Sequence, residues 1–498
     1  MAEEDLQHHK PSSANGDGVA AAAAAAAAAS CGSVVAGYSQ PLVLQSYSLK
    51  DVKKHDTPQD CWLIIWGKVY DVTSWVPKHP GGSLIYVKAG QDCTQLFESY
   101  HPLYVRKMLG KYCIGEVVQN SVVGGDELLK SSRIEYLNAG NEEFYLVLKQ
   151  RVETFFKQKK INPRFHPHMF MKSIIIILGY VLCYYCCFFS SSSFVASLFW
   201  AVGMGFFATE VGVSIQHDGN HGAYSQWCGL GYIMGASLDF IGASSFMWRQ
   251  QHVVGHHSFT NVDHYDPDIR VKDPDVRRVT SEQPGQWYHA YQHIYLGALY
   301  GLLALKSVFL DDFNAYFSGS IGPVRIAKMT QLEFNVFFGG KLFYAFYMFL
   351  LPALYGSHTA RSFILLYMVS QFVTGWMLAL VFQVAHVVGE AEFPELDPSS
   401  DTPKVAAGWA ALQVATTTNF CPKSLFWTHL TGGLNNQIEH HLFPSVCHLY
   451  YPRIQPIVKA TCDEFNVPYT WFPTFWAALK AHFAHLKKVG LVELHLDG

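Results

Sequence analysis

The chain has 498 residues, 50% hydrophobic, 15% aromatic and only 15% charged. A soluble protein carries about 25% charged residues, so the composition argues against a wholly soluble protein, and the length calls for more than one domain. A net charge of −3 at pH 7 argues against a nucleic-acid partner.

Residues 1–42 read as a disordered, low-complexity arm. Its polyalanine tract, Ala20 to Ala29, is too short and weakly apolar to span a bilayer. Glu3, Glu4 and Asp5 argue against an acid-poor transit peptide. Residues 43–120 form the next expected unit, a small soluble domain over Tyr47 to Val118. Short strand-like runs alternate there with turns and amphipathic pieces. Its punctuation is His79-Pro80-Gly81-Gly82, with His101 following a short helical stretch. Pro and Gly set a tight loop from which an imidazole projects. Two histidines on opposing walls can clamp a flat cofactor, and haem with both axial positions filled suits electron transfer. The bland alternative is a turn-forming His-Pro pair.

Residues 121–160 read as a linker and a helix (Glu142 to Phe156), followed by the basic run Lys157-Gln158-Lys159-Lys160. Residues 161–498 hold four long apolar runs: Ser173–Phe189, Phe194–Val213, Phe334–Tyr355 and Ser362–Val388. Each is near the ~20 residues a spanning helix needs. Cations concentrate before the first run, which places both termini in the cytosol. Two further runs, Leu230–Ser245 and Ile294–Leu310, are expected to be interfacial or re-entrant. If either crossed, the histidine clusters below would face opposite sides. The 11 cysteines form no disulfide framework, which fits a reducing compartment. Cys183 and Cys186 make a C-x-x-C inside an apolar run and read as small buried hydrophobes.

Three histidine clusters punctuate this region: His217 and His221, then His252, His256 and His257, then Gln437, His440 and His441. Two histidines four apart on a helix share a face and can grip one ion. Eight side chains exceed the need of one tetrahedral zinc and suit two irons with positions open for dioxygen. The alternative is three unrelated groups of surface or core histidines. His386, at the end of the fourth run, is a further candidate ligand or an interface histidine. His264, His289, His293 and His429 are expected in supporting or surface roles. Asp218 and Glu439 either orient ligand imidazoles or are solvated.

Two family resemblances follow from these motifs. The segment with H-P-G-G, Asp71-Val72-Thr73 and His101 resembles a cytochrome b5 domain over about 70 residues. The pattern H-x3-H, H-x3-H-H and Q-x-x-H-H, with Trp248-Arg249, Thr431-Gly432-Gly433-Leu434-Asn435 and Leu442-Phe443-Pro444, is similar to membrane fatty acid desaturases. Gln437 in the third box, together with a fused cytochrome b5, resembles the front-end branch. These enzymes insert a double bond between an existing one and the carboxyl end of an acyl chain. The resemblance implies an α-helical integral membrane domain of four spanning helices, with interfacial helices and a cytosolic histidine-box cap, behind an N-terminal α+β cytochrome b5-like domain. It implies haem b on His79 and His101, and two non-haem irons on the eight box side chains, with His386 as an additional ligand. It also implies O2 as co-substrate, NADH acting through a cytochrome b5 reductase, a membrane-lipid or acyl-CoA substrate, and the endoplasmic reticulum membrane. The box fillers look most like the Δ5 group, with Δ4, Δ6 and sphingolipid Δ8 open. Rival readings are a fused di-iron lipid hydroxylase, a membrane haem electron carrier and a zinc-dependent membrane hydrolase.

Overall fold

The structure is a computed structural model and describes residues 45–118, 134–190, 193–269, 275–397 and 403–491. The expected N-terminal arm, and residues 121–133 of the expected linker and helix, lie outside the described residues.

The first domain is built on a five-stranded sheet in the order β1-β5-β4-β3-β2, from β1 (Gln45–Tyr47), β2 (Asp56–Thr57), β3 (Asp60–Ile65), β4 (Lys68–Asp71) and β5 (Cys113–Val117). The β3–β4 hairpin turns on Trp66 and Gly67, both at positive φ, so the pair Leu63↔Tyr70 faces one core. Cys61, Leu63, Ile65, Tyr70, Val72 and Phe97 fill it. Helix α1 (Thr94–Tyr100) closes the domain and ends at His101.

Helix α2 (Glu143–Lys159) bridges this domain to the rest. Its buried Lys149 donates to the carbonyl of Glu98, at 2.7 Å, and Glu98 pairs with Arg106. At the start of α2, Glu142 accepts hydrogen bonds from the backbone of Ala410 and Ala411. Other ties dock the first domain directly. Val87 and Leu96 pack with Val253, Val254 and Val324, and Asp56 pairs with Arg325 and Lys328.

Among the described residues, five helices are long and apolar enough to cross a membrane: α3 (Pro167–Ser190), α4 (Phe194–Asn220), α6 (Trp287–Ser318), α7 (Gln331–Tyr355) and α8 (Ala360–His386). Between α4 and α6 comes α5, spanning 245–259. Apolar side chains stay exposed along these helices, among them Ile175, Leu178, Val195, Phe199, Leu342 and Ile364; lipid is the solvent that suits such a belt. Starts are capped locally: Ser193 begins α4, Thr330 and Glu333 form a capping box on α7, and Thr359 begins α8. The helices touch at small residues. Thr374 Oγ1 donates to the Gly205 carbonyl at 3.1 Å, and a Cβ on Gly375 would collide with the backbone of Gly301.

Helix α6 contains the run expected to be interfacial. Its first turn packs on α10 (Phe475–Leu491), where a Cβ on Gly490 would strike the His289 carbonyl. Just past its last turn, Val324 packs on Val253 and Val254 of α5. Both ends therefore sit on the side where the histidine clusters meet. Three crossings between the second and third clusters would part them, whereas α7 and α8 alone bring the chain back. The other doubtful run forms two short helices, Cys228–Gly235 and Ser237–Phe240, laid against the first histidine cluster. A Cβ on Gly219 would collide with the backbone of Gly235, so this approach depends on glycine.

Candidate metal centre and haem pocket

In the first domain, His79 follows a single 3-10 turn, Val76–Lys78. Gly81 leaves room for its ring, since a Cβ there would run into the imidazole. His101 caps α1, and its Nδ1 donates to the Phe97 carbonyl at 3.1 Å. The Nε2 lone pair is thereby left for a ligand. Burial, with help from His79, pushes the His101 pKa down to about 3, so the ring is neutral and able to ligate. The two rings face each other with centroids 5.8 Å apart. A cavity of about 900 Å³ opens beside them, with Leu63, Ile65 and Val72 on the domain's own wall. The opposite wall is foreign to that domain: Val152 and Phe156 of α2, Arg164, His221 and Val446. Apolar walls, two facing imidazoles and basic side chains fit a haem.

The second site gathers four separate stretches. His217 lies at the end of α4, just after a π-helical segment, Val211–Gln216. The α5 helix is also π-helical over Arg249–His256. A π segment closes i to i+5, so a residue five along shares the face. His257 Nε2 accordingly lies 3.3 Å from His252 Nε2, although a regular helix would turn it away. Helix α9 (Gln437–Leu442) presents Gln437, His440 and His441 at i, i+3 and i+4 on one face. His386 ends α8.

The structure brings all nine candidate side chains together, and none is more than 6% exposed. They divide into two groups. Ligand atoms of His217, His221, His252 and His440 lie within 4.8 Å of one another, and so do those of His256, His386 and His441. His257 stands between the groups, its Nε2 3.0 Å from His440 Nε2. Gln437 Nε2 lies 2.9 Å from His386 Nε2 and 3.3 Å from His441 Nε2. Its Oε1 has no partner, and turning the amide over would point that oxygen at the same space. Both nitrogens of His217, His221 Nε2 and His256 Nε2 are buried without a partner. Each such atom costs about 1–3 kcal/mol, and cations between the rings would remove the deficit. The donor set therefore fits two metal ions.

Outer partners hold the imidazoles. Asp268 Oδ2 lies 2.8 Å from His252 Nδ1 and Asp266 Oδ2 2.8 Å from His256 Nδ1. Gln413 Oε1 accepts from His441 Nδ1 at 2.8 Å, and Tyr451 meets His440 Nδ1 at 3.2 Å. Burial lowers the His256 pKa, but the Asp266 carboxylate and, behind it, Asp268 together more than reverse this, leaving it raised. Sequence reading missed these partners. Asp266-Pro267-Asp268, close behind the second cluster, was the one signal on offer.

Asp218 and Glu439 do neither of the things expected of them. Both are buried, so solvation is wrong. Asp218 bonds His448 Nδ1 at 2.9 Å, and Glu439 accepts from Asn419 and Tyr469, so neither orients a candidate ligand. His264 has an exposed side chain, and His289 bonds the Asp275 carbonyl. His293 is partly buried, and the carbonyl of His429 accepts from Lys172. Cys183 and Cys186 are free.

A haem-type domain docked on a membrane-borne histidine cluster defines a class, the membrane oxidoreductases fed by their own electron-transfer domain. Residues 48–118 match the cytochrome b5-like haem/steroid binding domain, and residues 192–473 match the fatty acid desaturase family. The chain belongs to the fatty acid desaturase family, in its front-end acyl-lipid branch, and is an oxidoreductase. It is 69% identical to an acyl-lipid (8-3)-desaturase of Physcomitrium patens, over 93% of this chain and 95% of that one. It is 36% identical to Delta(5) fatty acid desaturase A of Dictyostelium discoideum, over 91% of this chain and 95% of that one. Its haem-type domain is 38% identical to the solved cytochrome b558 of Ectothiorhodospira vacuolata, covering 15% of this chain and 99% of that one, with a TM-score of 0.15.

Proposed function

We propose that this chain is a Δ5 front-end desaturase of polyunsaturated acyl chains. One observation carries the site assignment: nine buried side chains from four stretches converge with partnerless nitrogens turned inward. His217, His221, His252 and His440 would hold one iron, and His256, His386, His441 and Gln437 the other, with His257 between them. His79 and His101 would hold haem b. The paired irons would supply oxygen activation, and the haem would supply one-electron transfer.

The chain's own residues do the rest. Asp266, Asp268, Gln413 and Tyr451 fix the imidazoles in orientation and tautomer. The buried cluster keeps water from the reacting methylene. One dioxygen, two hydrogens from adjacent carbons, two protons and two electrons yield one double bond and two waters. The electrons start from NADH through a cytochrome b5 reductase. The basic residues before α3 support cytosolic termini, and an endoplasmic reticulum location follows from the reductase. The relatives named as Delta(5) and (8-3) desaturases favour Δ5 over Δ4, Δ6 or Δ8. Expression in yeast fed polyunsaturated acids, with double-bond position read by mass spectrometry, tests this. A new Δ5 bond is expected. A product bond at Δ4, Δ6 or Δ8 removes the regiochemical reading, and an added oxygen removes desaturation itself.

A further inference from the structure

The imidazoles of the metal centre are not all held from the same place. His252, His256, His440 and His441 lean on Asp268, Asp266, Tyr451 and Gln413, all within the desaturase domain. His221 differs. Its Nδ1 lies 2.6 Å from the hydroxyl of Tyr100, the last residue of α1 in the haem-type domain. Tyr100 immediately precedes His101, and both rings line the cavity that also reaches His221 and Gly222. Through the backbone, the Tyr100 carbonyl accepts from Arg164 at 3.4 Å.

We propose that Tyr100 is a positioning residue that ties the docked haem domain to the metal centre by accepting a hydrogen bond from His221. The proposal rests on the reading that His101 and His221 are ligands of haem and iron. His221 Nε2 is buried and partnerless, so it is the nitrogen left to ligate. A neutral imidazole that ligates through Nε2 carries its proton on Nδ1. The Nδ1–H then donates and the Tyr100 oxygen accepts. That bond fixes the ring in its ligating tautomer, and it forms only while the two domains are docked. One contact therefore sets two things at once: where the haem-ligand loop stands and whether one metal ligand is correctly turned.

Docking itself does not depend on the Tyr100 hydroxyl, since the ring, which packs on the Val87–Val253 cluster, stays in Tyr100→Phe. The Val87–Val253 cluster and the Asp56 ion pairs remain when the hydroxyl is gone, so Tyr100→Phe isolates the hydrogen bond. The full-length protein is purified with its metals, and haem and iron are counted per chain. Wild type is expected to hold one haem and two further, non-haem irons. Tyr100→Phe is expected to keep its haem absorbance and to release iron to a chelator about 10-fold faster, the low end for a lost outer partner of a metal ligand. Its Mössbauer spectrum should change for one iron and not the other, a signature that general loosening does not give. Wild-type release with an unchanged spectrum, or equal change at both irons, overturns the proposal. Wild type purifying without non-haem iron overturns the site assignment itself, and the two failures are told apart by that count.

Discussion

His79 and His101 stand on turns of one small sheet domain, whereas the nine side chains of the second cluster come from four stretches between residues 217 and 441. Their outer support differs as well. The Nδ1 atoms of His79 and His101 meet the backbone carbonyls of Gly82 and Phe97, three and four residues away. The second site uses the side chains of Asp266, Asp268, Gln413 and Tyr451. A carbonyl cannot be removed by substitution, so in the first pocket the two imidazoles are oriented by local backbone. The second is set by tertiary packing and can be tuned one side chain at a time.

The largest effects should come from removing ligands, and they should separate the two sites. His440→Ala is expected to abolish product and strip iron while haem absorbance persists. His101→Ala is expected to lose haem while keeping the iron pair. Loss of both groups in either variant, measured by metal analysis and absorbance, would break the contrast. Next in size is Asp266→Asn. Removing the charge behind His256 is expected to weaken iron retention about 10–100-fold, read by competition with a chelator. No counterpart exists for His101, whose partner is a carbonyl.

The smallest effect concerns the seam between the domains. Burial pulls the Lys149 ammonium down to about 8 from its ordinary 10.5, with Glu98 opposing. Below about 8 folded and unfolded chains both carry the charge, and the folded one bears the full burial penalty. Between about 8 and 10.5 the unfolded chain binds more protons, so stability should rise with pH. The melting temperature followed at the haem domain is expected to climb across that window. The climb should flatten in Lys149→Met, and equal slopes in the two proteins would show that Lys149 does not set this seam.

Much of this architecture was legible in the linear chain because the chemistry is periodic. Histidines four apart announce a shared helical face, and H-P-G-G announces a rigid turn. The outer partners were not legible. Asp266 and Asp268 look like ordinary loop carboxylates until α5 folds back over them, and Gln413 has no motif at all. His386 was visible only as a polar residue ending an apolar run; the packing of α8 turns it inward. The inward turn of His257 needed the π geometry, which side-chain spacing alone does not reveal. Helix α6 is long and apolar, and only the fold shows that the chain at both of its ends packs on α5 and the C-terminal helix. Asp218 and Glu439 were misjudged because adjacency in a motif says nothing about which way a short side chain points.

The close approach of Gly219 to Gly235 carries a consequence for anyone exchanging parts among these enzymes. The middle of the first histidine motif is a spacer fitted to the turn lying beside it, so its glycine speaks of clearance and not of which carbon is oxidised. A first motif grafted from a relative with a bulkier filler would have to bring along its own version of residues 228–240, or the graft would prise that turn away from the histidines.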